Sequence, residues 1–123
     1  MDGKTHIMVV EDHTVNLKLV RDLLEMDGFE VVSCIDAESA LECLQTIRPD
    51  MILMDIGLPG MSGLELTRIL KAEAQTKDIK IIAVTAFAMK TDKDKVMEAG
   101  CDGYITKPIN TRTFTGQILD MLK

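Results

Sequence analysis

Aromatic side chains are scarce in this chain of 123 residues, which has no Trp, one Tyr and three Phe. With 46% hydrophobic residues and nine Met, we expect a core of aliphatic side chains and flexible thioethers rather than stacked rings. Cysteine is also rare. Cys34, Cys43 and Cys101 are an odd number without C-x-x-C spacing, which indicates neither a disulfide framework nor a zinc site.

Long apolar runs and blocks of basic charge are missing as well. No apolar stretch approaches the ~20 residues of a membrane span, and the N-terminal sequence MDGKTHIMVVED lacks the layout of a signal peptide, so we expect a cytoplasmic protein without a membrane partner. The net charge is −6, and no cluster of Lys and Arg could neutralise a run of phosphates. A nucleic-acid partner is therefore not expected. A chain of this length and composition predicts one domain, residues 1–123.

Strand-like and helix-like segments alternate along the whole chain. The predicted strands are residues 7–10, 30–35, 51–54, 79 or 80 to 84, and 104–106. The predicted helices run from residue 13 or 14 to the stop at Gly28, from the N-cap Asp36 to before Pro49, over about 64–73 and 89–99, and around Phe114 to Leu122. Five βα units of this kind predict an α/β fold with a doubly wound parallel sheet and helices on both faces.

Helical spacing also predicts which side chains point into the core. These are, by helix, Leu17, Val20, Leu23 and Leu24; Ala40, Leu41, Leu44 and Ile47; Leu66, Ile69 and Leu70; Met89, Val96, Met97 and Ala99; and Phe114, Ile118, Leu119 and Leu122. The fourth helix is dominated by charged residues and has few apolar anchors. We therefore expect it to be the loosest of the five.

Five polar groups lie at or near the ends of the predicted strands. They are Glu11, Asp12, Asp55, Thr85 and Lys107. Because the carboxyl ends of parallel strands meet at one edge of a sheet, we expect these groups to lie together. Three carboxylates, a hydroxyl and an ammonium suit a divalent cation and a phosphoryl group better than they suit a core.

The chemistry of these groups predicts a role for each. Asp12 and Asp55 could bind Mg²⁺ directly, and Glu11 through water. The Asp55 carboxylate could attack phosphorus and give an acyl phosphate, with Lys107 neutralising charge and Thr85 binding a phosphoryl oxygen. Taken singly, an acidic pair is more often a helix cap, a lysine a surface charge, and a threonine the end of a strand. Their joint placement on successive strands favours the site.

Four segments resemble the CheY-like receiver domains of response regulators. They are VVED (9–12), LMDIGLPGMSG (53–63), AVTAFAMK (83–90) and YITKPI (104–109), and the resemblance extends over the whole chain. It implies a flavodoxin-like sheet with strand order 2-1-3-4-5. It further implies Asp55 as phosphoacceptor, and Asp12 and the Gly57 carbonyl as ligands of Mg²⁺, or Mn²⁺ in its place, with Glu11 in support. Lys107 would be the phosphoryl partner.

The same resemblance implies a switch and its partners. Thr85 and Tyr104 would be the switch pair, Lys107-Pro108 would be a cis peptide, and the surface of the fourth helix, fifth strand and fifth helix would carry the output. The phosphodonor would be a sensor histidine kinase or a histidine phosphotransfer protein, and the target another protein. Such a domain catalyses only its own phosphorylation and dephosphorylation. The chain resembles regulators that consist of a receiver alone, although similar receivers occur inside hybrid kinases.

Two further positions concern the lifetime of the acyl phosphate. Gly57 and Phe87 would flank the attacking water, and neither can orient it, so we expect slow self-dephosphorylation. His13 follows the acidic pair and could interfere with the site, although a histidine at a rim is more often merely solvated.

Three rival functions differ in what they require. A flavin-binding electron carrier needs a Ser/Thr/Gly-rich phosphate loop after the first strand, where this chain has Glu-Asp-His-Thr. An aspartate-dependent phosphatase needs a second Asp two residues after the nucleophile, where Gly57 stands. A scaffold with a vestigial site would not be expected to keep all five groups.

Overall fold

The computed structural model describes residues 4–86 and 90–122, and the side chains of all of these except residues 90–92. Within these residues, five strands alternate with five helices. The strands are β1 (His6–Val10), β2 (Glu30–Cys34), β3 (Met51–Asp55), β4 (Lys80–Thr85) and β5 (Gly103–Thr106). The helices are α1 (Thr14–Met26), α2 (Ala37–Cys43), α3 (Gly63–Ala72), α4 (Lys90–Glu98) and α5 (Phe114–Leu122). The predicted α/β alternation is confirmed.

The strands form one parallel sheet in the order β2-β1-β3-β4-β5, as predicted. Every residue of the central strand β3 is buried, which explains its continuous apolar run. At the edge, β2 exposes Glu30 and Ser33. The order of the strands places the ends of β1 and β3 side by side.

Helices cover both faces of the sheet and enclose two cores. One core contains buried side chains of α2, α3 and α4, including Ala40, Leu66 and Val96. The other contains buried side chains of α1 and α5, including Leu24 and Phe114. The doubly wound arrangement is therefore confirmed.

Two helices begin at side-chain caps. Asp36 accepts a hydrogen bond from the backbone N–H of Ser39 at 2.7 Å, as its prediction as an N-cap requires. Ser62 accepts one from the N–H of Glu65 at 3.1 Å, and α3 therefore starts at Gly63. The predicted start of this helix near residue 64 is therefore one residue late.

Some predicted core positions lie at the margins of the buried faces. Ile69, Met97 and Leu119 are 38%, 50% and 48% exposed. Each directly precedes or follows a more buried position, and adjacent helical residues are rotated by about 100° from each other. The predicted inward placement of these three side chains is wrong, and Met89 lies outside the described residues.

Predicted bounds also shift at β2, α2 and β3. Ile35 is 55% exposed and lies outside β2. The regular part of α2 ends at Cys43, before the predicted Leu44 and Ile47. Asp55 is the last residue of β3 rather than the first residue after it.

The three cysteines are free thiols, which agrees with the expectation of no disulfide framework. Burial, together with the neighbouring Cys43, raises the pKa of Cys34 to about 12. A thiol with so high a pKa is a weak nucleophile at neutral pH.

Across the described segments, every helix is too short or too polar to traverse a lipid bilayer.

Candidate functional site

Asp55 occupies the centre of the carboxyl edge of the sheet. It ends β3 opposite Val84 of β4, and only 7% of its surface is exposed. One carboxylate oxygen, Oδ1, accepts a hydrogen bond from the backbone N–H of Gly57 at 3.1 Å. The other, Oδ2, lies 3.5 Å from Nζ of Lys107. Both oxygens therefore have a fixed partner, which orients the carboxylate.

Asp55 belongs to an acidic group of four residues, the other three of which follow the end of β1. Glu11, Asp12, His13 and Asp55 each offer a ligand atom, and these four atoms lie within 4.8 Å of one another. Oδ1 of Asp12 is buried and accepts no hydrogen bond from the described residues. A buried carboxylate oxygen without a donor is costly unless a cation compensates it. The donor set and this orphaned oxygen fit a divalent cation.

Lys107 reaches the site from the loop after β5. Its Nζ donates a hydrogen bond to Oε1 of Glu11 at 3.1 Å, and its backbone N–H donates to the carbonyl of Thr85 at 2.7 Å. The Lys107-Pro108 bond is cis, as the resemblance implied. Lys107 therefore contacts both Glu11 and Asp55, and the prediction that it joins them is confirmed.

The pKa values of the two buried carboxyls, Glu11 and Asp55, are shifted in opposite directions. Burial raises the pKa of Glu11, and the adjacent Asp55 raises it further, while Lys107 opposes both effects. Burial would also raise the pKa of Asp55, but hydrogen bonds from Glu11 and Gly57 and the charge of Lys107 lower it below its usual value. The pKa of Lys107 is raised because Glu11 and Asp55 outweigh its burial. Of the two carboxyls, Asp55 is therefore the one whose ionised form the site favours.

Thr85 and Tyr104 lie at different depths along neighbouring strands. Thr85 is buried at the end of β4, opposite Thr106 of β5. Tyr104 lies two residues before Thr106, is half-buried against the core beneath α2, α3 and α4, and has Nζ of Lys93 5.2 Å from its ring centroid. The fold therefore brings Thr85 to the edge that carries the acidic group and leaves Tyr104 beside α4.

The other predicted positions differ in how far the structure describes them. Gly57 is exposed and contacts Asp55 through its N–H, whereas Phe87 lies outside the described residues. The side chain of His13, expected either to be solvated or to interfere with the site, is 67% exposed and also has Nδ1 3.4 Å from Oδ1 of Asp12 and 3.5 Å from Oε2 of Glu11. Its position directly after the acidic pair was the sequence signal for this contact.

An open groove adjoins the acidic group on the side of α1. Its volume is about 360 Å³, and Glu11 and Lys107 line it together with the apolar Leu19, Val20 and Ile109. Lys107 thus borders this groove, and its side chain is 20% exposed.

Comparison with known proteins gives consistent matches over nearly the whole chain. The family model for the response regulator receiver domain matches residues 7–119. The polar-differentiation response regulator DivK of Brucella anthropi is 46% identical over 116 residues, which is 94% of either chain.

Among solved structures, the receiver domain of a sensor histidine kinase from Pseudomonas aeruginosa has a magnesium ion coordinated in its active-site cleft. It is 29% identical, covers 98% of both chains and has a TM-score of 0.88. The chemotaxis response regulator CheY4 of Vibrio cholerae is 25% identical, with a TM-score of 0.91 over 96% of this chain and 98% of that one.

Proposed function

The chain belongs to the family of response regulator receiver domains, and from this premise we propose that Asp55 is the residue it phosphorylates. The observation that best supports this proposal is the position of the buried Asp55 carboxylate. It lies between the ammonium of Lys107, at 3.5 Å, and the acidic residues at the end of β1. Residues 1–123 would then form a single receiver domain, whose own activity is limited to its phosphorylation and dephosphorylation.

We assign the cation site to the same edge. Asp12 and Asp55 would bind Mg²⁺ directly, the Gly57 carbonyl would add a third oxygen, and Glu11 would act through water. The buried, unpaired Oδ1 of Asp12 supports this assignment. When bound, Mg²⁺, or Mn²⁺ in its place, would offset the negative charge shared by the carboxylates and the phosphoryl oxygens.

The reaction is a transfer from a phosphohistidine. An Asp55 oxygen attacks phosphorus, a P–O bond forms, the P–N bond to the donor imidazole breaks, and the electron pair stays on that nitrogen. The lowered pKa of Asp55 keeps its carboxylate ionised for this attack. Lys107 would stabilise the charge on the phosphoryl oxygens, and the Thr85 hydroxyl would donate to one of them. The donor would be a sensor histidine kinase or a histidine phosphotransfer protein.

Switching follows from the charge added at Asp55. The new dianion would attract the Thr85 hydroxyl. The movement of the Thr85 side chain would leave space into which Tyr104 can rotate. Tyr104 is half-buried beside α4, so its rotation would change the surface formed by α4, β5 and α5. A downstream protein, rather than a nucleic acid, would recognise that surface.

The test is phosphorylation by a small-molecule phosphodonor, followed by intact mass. Wild type should gain one phosphoryl group with Mg²⁺ and none with a chelator. Asp55→Asn should not gain it, and Asp12→Ala should need far more Mg²⁺. Asp22→Asn, on the exposed face of α1 where Asp22 pairs with Lys18, is the matched control and should behave as wild type. A phosphoryl group retained in Asp55→Asn would contradict the proposal.

A further inference from the structure

We propose that His13 is an additional ligand at the metal site and gives it a preference for divalent transition metals, such as Co²⁺, Ni²⁺ and Zn²⁺, over Mg²⁺. This inference rests on the metal site of the proposed function. It concerns a nitrogen donor that an all-oxygen magnesium site does not use.

The backbone of His13 is held in place on both sides. Its N–H donates to Oε2 of Glu11 at 3.3 Å, and its carbonyl accepts the N–H of Leu17 at 2.9 Å as α1 begins. His13 is the N-cap residue of α1, but its side chain makes no capping hydrogen bond. The backbone therefore places His13 beside the acidic pair, and its imidazole, which is 67% exposed, is not used to cap the helix.

The side-chain distances are longer than a charge-assisted hydrogen bond and fit donors that share one ion. Nδ1 of His13 lies 3.4 Å from Oδ1 of Asp12 and 3.5 Å from Oε2 of Glu11. A charge-assisted hydrogen bond would bring these atoms to about 2.7–2.9 Å. Two donors that bind one ion at about 2.0–2.2 Å with an angle near 110° lie roughly 3.4 Å apart. The nitrogen and the orphaned oxygen of Asp12 have that spacing.

The chemistry of the donors then sets the preference. Mg²⁺ prefers oxygen ligands and keeps much of its water, so an imidazole adds little to its binding. Co²⁺, Ni²⁺ and Zn²⁺ bind imidazole nitrogen well, and their affinities for mixed nitrogen and oxygen sites follow the usual order for divalent ions. A site with carboxylates and one imidazole should therefore bind these metals in competition with Mg²⁺.

The chain offers a matched control, because its two histidines are His6 and His13. His6 begins β1, while the acidic pair follows the end of the same strand. The experiment is calorimetric titration of the full chain with Co²⁺ and, separately, Mg²⁺, in wild type, His13→Asn, His6→Asn and Asp12→Ala. Asn caps helices well, so His13→Asn should keep α1 intact, and circular dichroism checks this.

In His13→Asn, the Co²⁺ affinity should fall about tenfold or more while the Mg²⁺ affinity is unchanged. His6→Asn should match wild type for both ions, and Asp12→Ala should weaken both. A pulsed electron paramagnetic resonance spectrum with Cu²⁺ should show an imidazole nitrogen in wild type and His6→Asn but not in His13→Asn.

Equal Co²⁺ affinities for wild type and His13→Asn would overturn this inference. So would Co²⁺ binding that survives in Asp12→Ala, which would place the ion elsewhere, for example on a thiol. Neither result affects the assignment of Asp55, which fails only if Mg²⁺-dependent phosphorylation of Asp55 is not found by mass.

Discussion

Glu11 and Asp55 both have less than a tenth of their surface exposed, yet the pKa of Glu11 is raised and that of Asp55 is lowered. The difference comes from their hydrogen bonds. The interactions of Asp55 with Glu11, with the Gly57 N–H and with Lys107 all favour its ionised form. At the scale of single residues, the neighbours of Asp55 therefore favour it as the proposed nucleophile, although burial affects both groups.

A first prediction concerns pH. The raised pKa of Glu11 means that the folded state holds this proton more tightly than the unfolded state does. The resulting stability is complete below the unfolded pKa, about 4.3, and is lost as pH rises through the folded pKa. Glu11→Gln removes this loss. In the presence of a chelator, the free energy of unfolding of Glu11→Gln relative to wild type should increase as pH rises from about 4 to 8.

Urea denaturation at several pH values measures this difference. The lowered pKa of Asp55 acts with the opposite sign, because its contribution is present above its unfolded pKa and is lost as pH falls through the folded one. If the free energy of unfolding of Glu11→Gln relative to wild type stays constant or falls as pH rises, the raised pKa of Glu11 is contradicted.

A second prediction concerns Gly57. A Cβ at this position would lie 3.8 Å from Oδ1 of Asp55, an ordinary contact, so a side chain can be added there beside the phosphoacceptor. Gly57→Asn would supply an amide that can orient water and should speed hydrolysis of the acyl phosphate by up to about 100-fold. Gly57→Ala is the control and should leave the rate near that of wild type.

The measurement is the loss of the phosphoryl group over time by intact mass. The wild-type lifetime should exceed seconds, since neither Gly57 nor Phe87 offers a polar side chain. A wild-type lifetime of seconds, or equal rates for Gly57→Asn and Gly57→Ala, would contradict the prediction.

The first residue of α3, Gly63, packs directly against the backbone of Asp55 and Ile56. A Cβ on Gly63 would lie 2.5 Å from the backbone oxygen of Asp55 and 2.9 Å from Cα of Ile56. The missing side chain therefore lets the first turn of α3 pack directly on the end of β3. The N-cap Ser62 and this close approach together determine where the helix begins relative to the phosphoacceptor.

A third prediction uses two glycines with opposite surroundings. Gly63→Ala should reduce the free energy of unfolding by about 1–3 kcal/mol, because backbone atoms must move to admit the methyl group. Gly116→Ala in α5, where a Cβ meets nothing within 4 Å, should instead increase it by roughly 0.5–1 kcal/mol. Urea denaturation measures both. Equal effects of the two substitutions would contradict the role of Gly63.

A fourth prediction concerns α4. Among its described side chains only Val96 is buried, with Ala99 buried just beyond the helix, while Met97 is half-exposed. Little apolar area therefore holds this helix against the sheet. Amide hydrogen exchange followed by mass spectrometry should show faster exchange over α4 than over α1, α3 or α5. Protection of α4 equal to that of α3 would show that the few contacts suffice.

At the scale of the whole molecule, the parallel sheet brings together residues that are up to 96 positions apart, as Glu11 and Lys107 are. This placement concentrates carboxylates at one edge of an acidic chain with a net charge of −6. A cation that binds only the assembled edge must stabilise the entire fold, because the unfolded chain does not hold the ligands together.

The fifth prediction follows from this linkage. Mg²⁺ at about 100 times its dissociation constant should add roughly 2.7 kcal/mol to the free energy of unfolding of wild type. Asp12→Ala should lose most of this increase, while Asp22→Asn, on the outer face of α1, should retain it. Thermal melts with Mg²⁺ and with a chelator measure the effect. An equal gain in Asp12→Ala would show that the ion binds elsewhere.

By itself, the sequence determined the features that depend on local patterns. Apolar runs and helical spacing defined the five strands and five helices, and Asp36 marked the start of α2 because its cap is formed with a residue three positions away. The five polar groups could be assigned to one edge because parallel strands end together. Glu11, Asp12, Asp55, Thr85 and Lys107 all lie at strand ends or in the loops directly after them.

Only the tertiary structure decided features that depend on packing between distant segments. Adjacent positions on a helix differ in burial according to the neighbouring element, so the spacing alone misplaced Ile69, Met97 and Leu119. The close approach of Gly63, the opposite pKa shifts of Glu11 and Asp55, and the approach of the His13 imidazole to 3.4 Å from Oδ1 of Asp12 arise from contacts in three dimensions. Side-chain distances and local burial set these properties, and no period in the sequence encodes them.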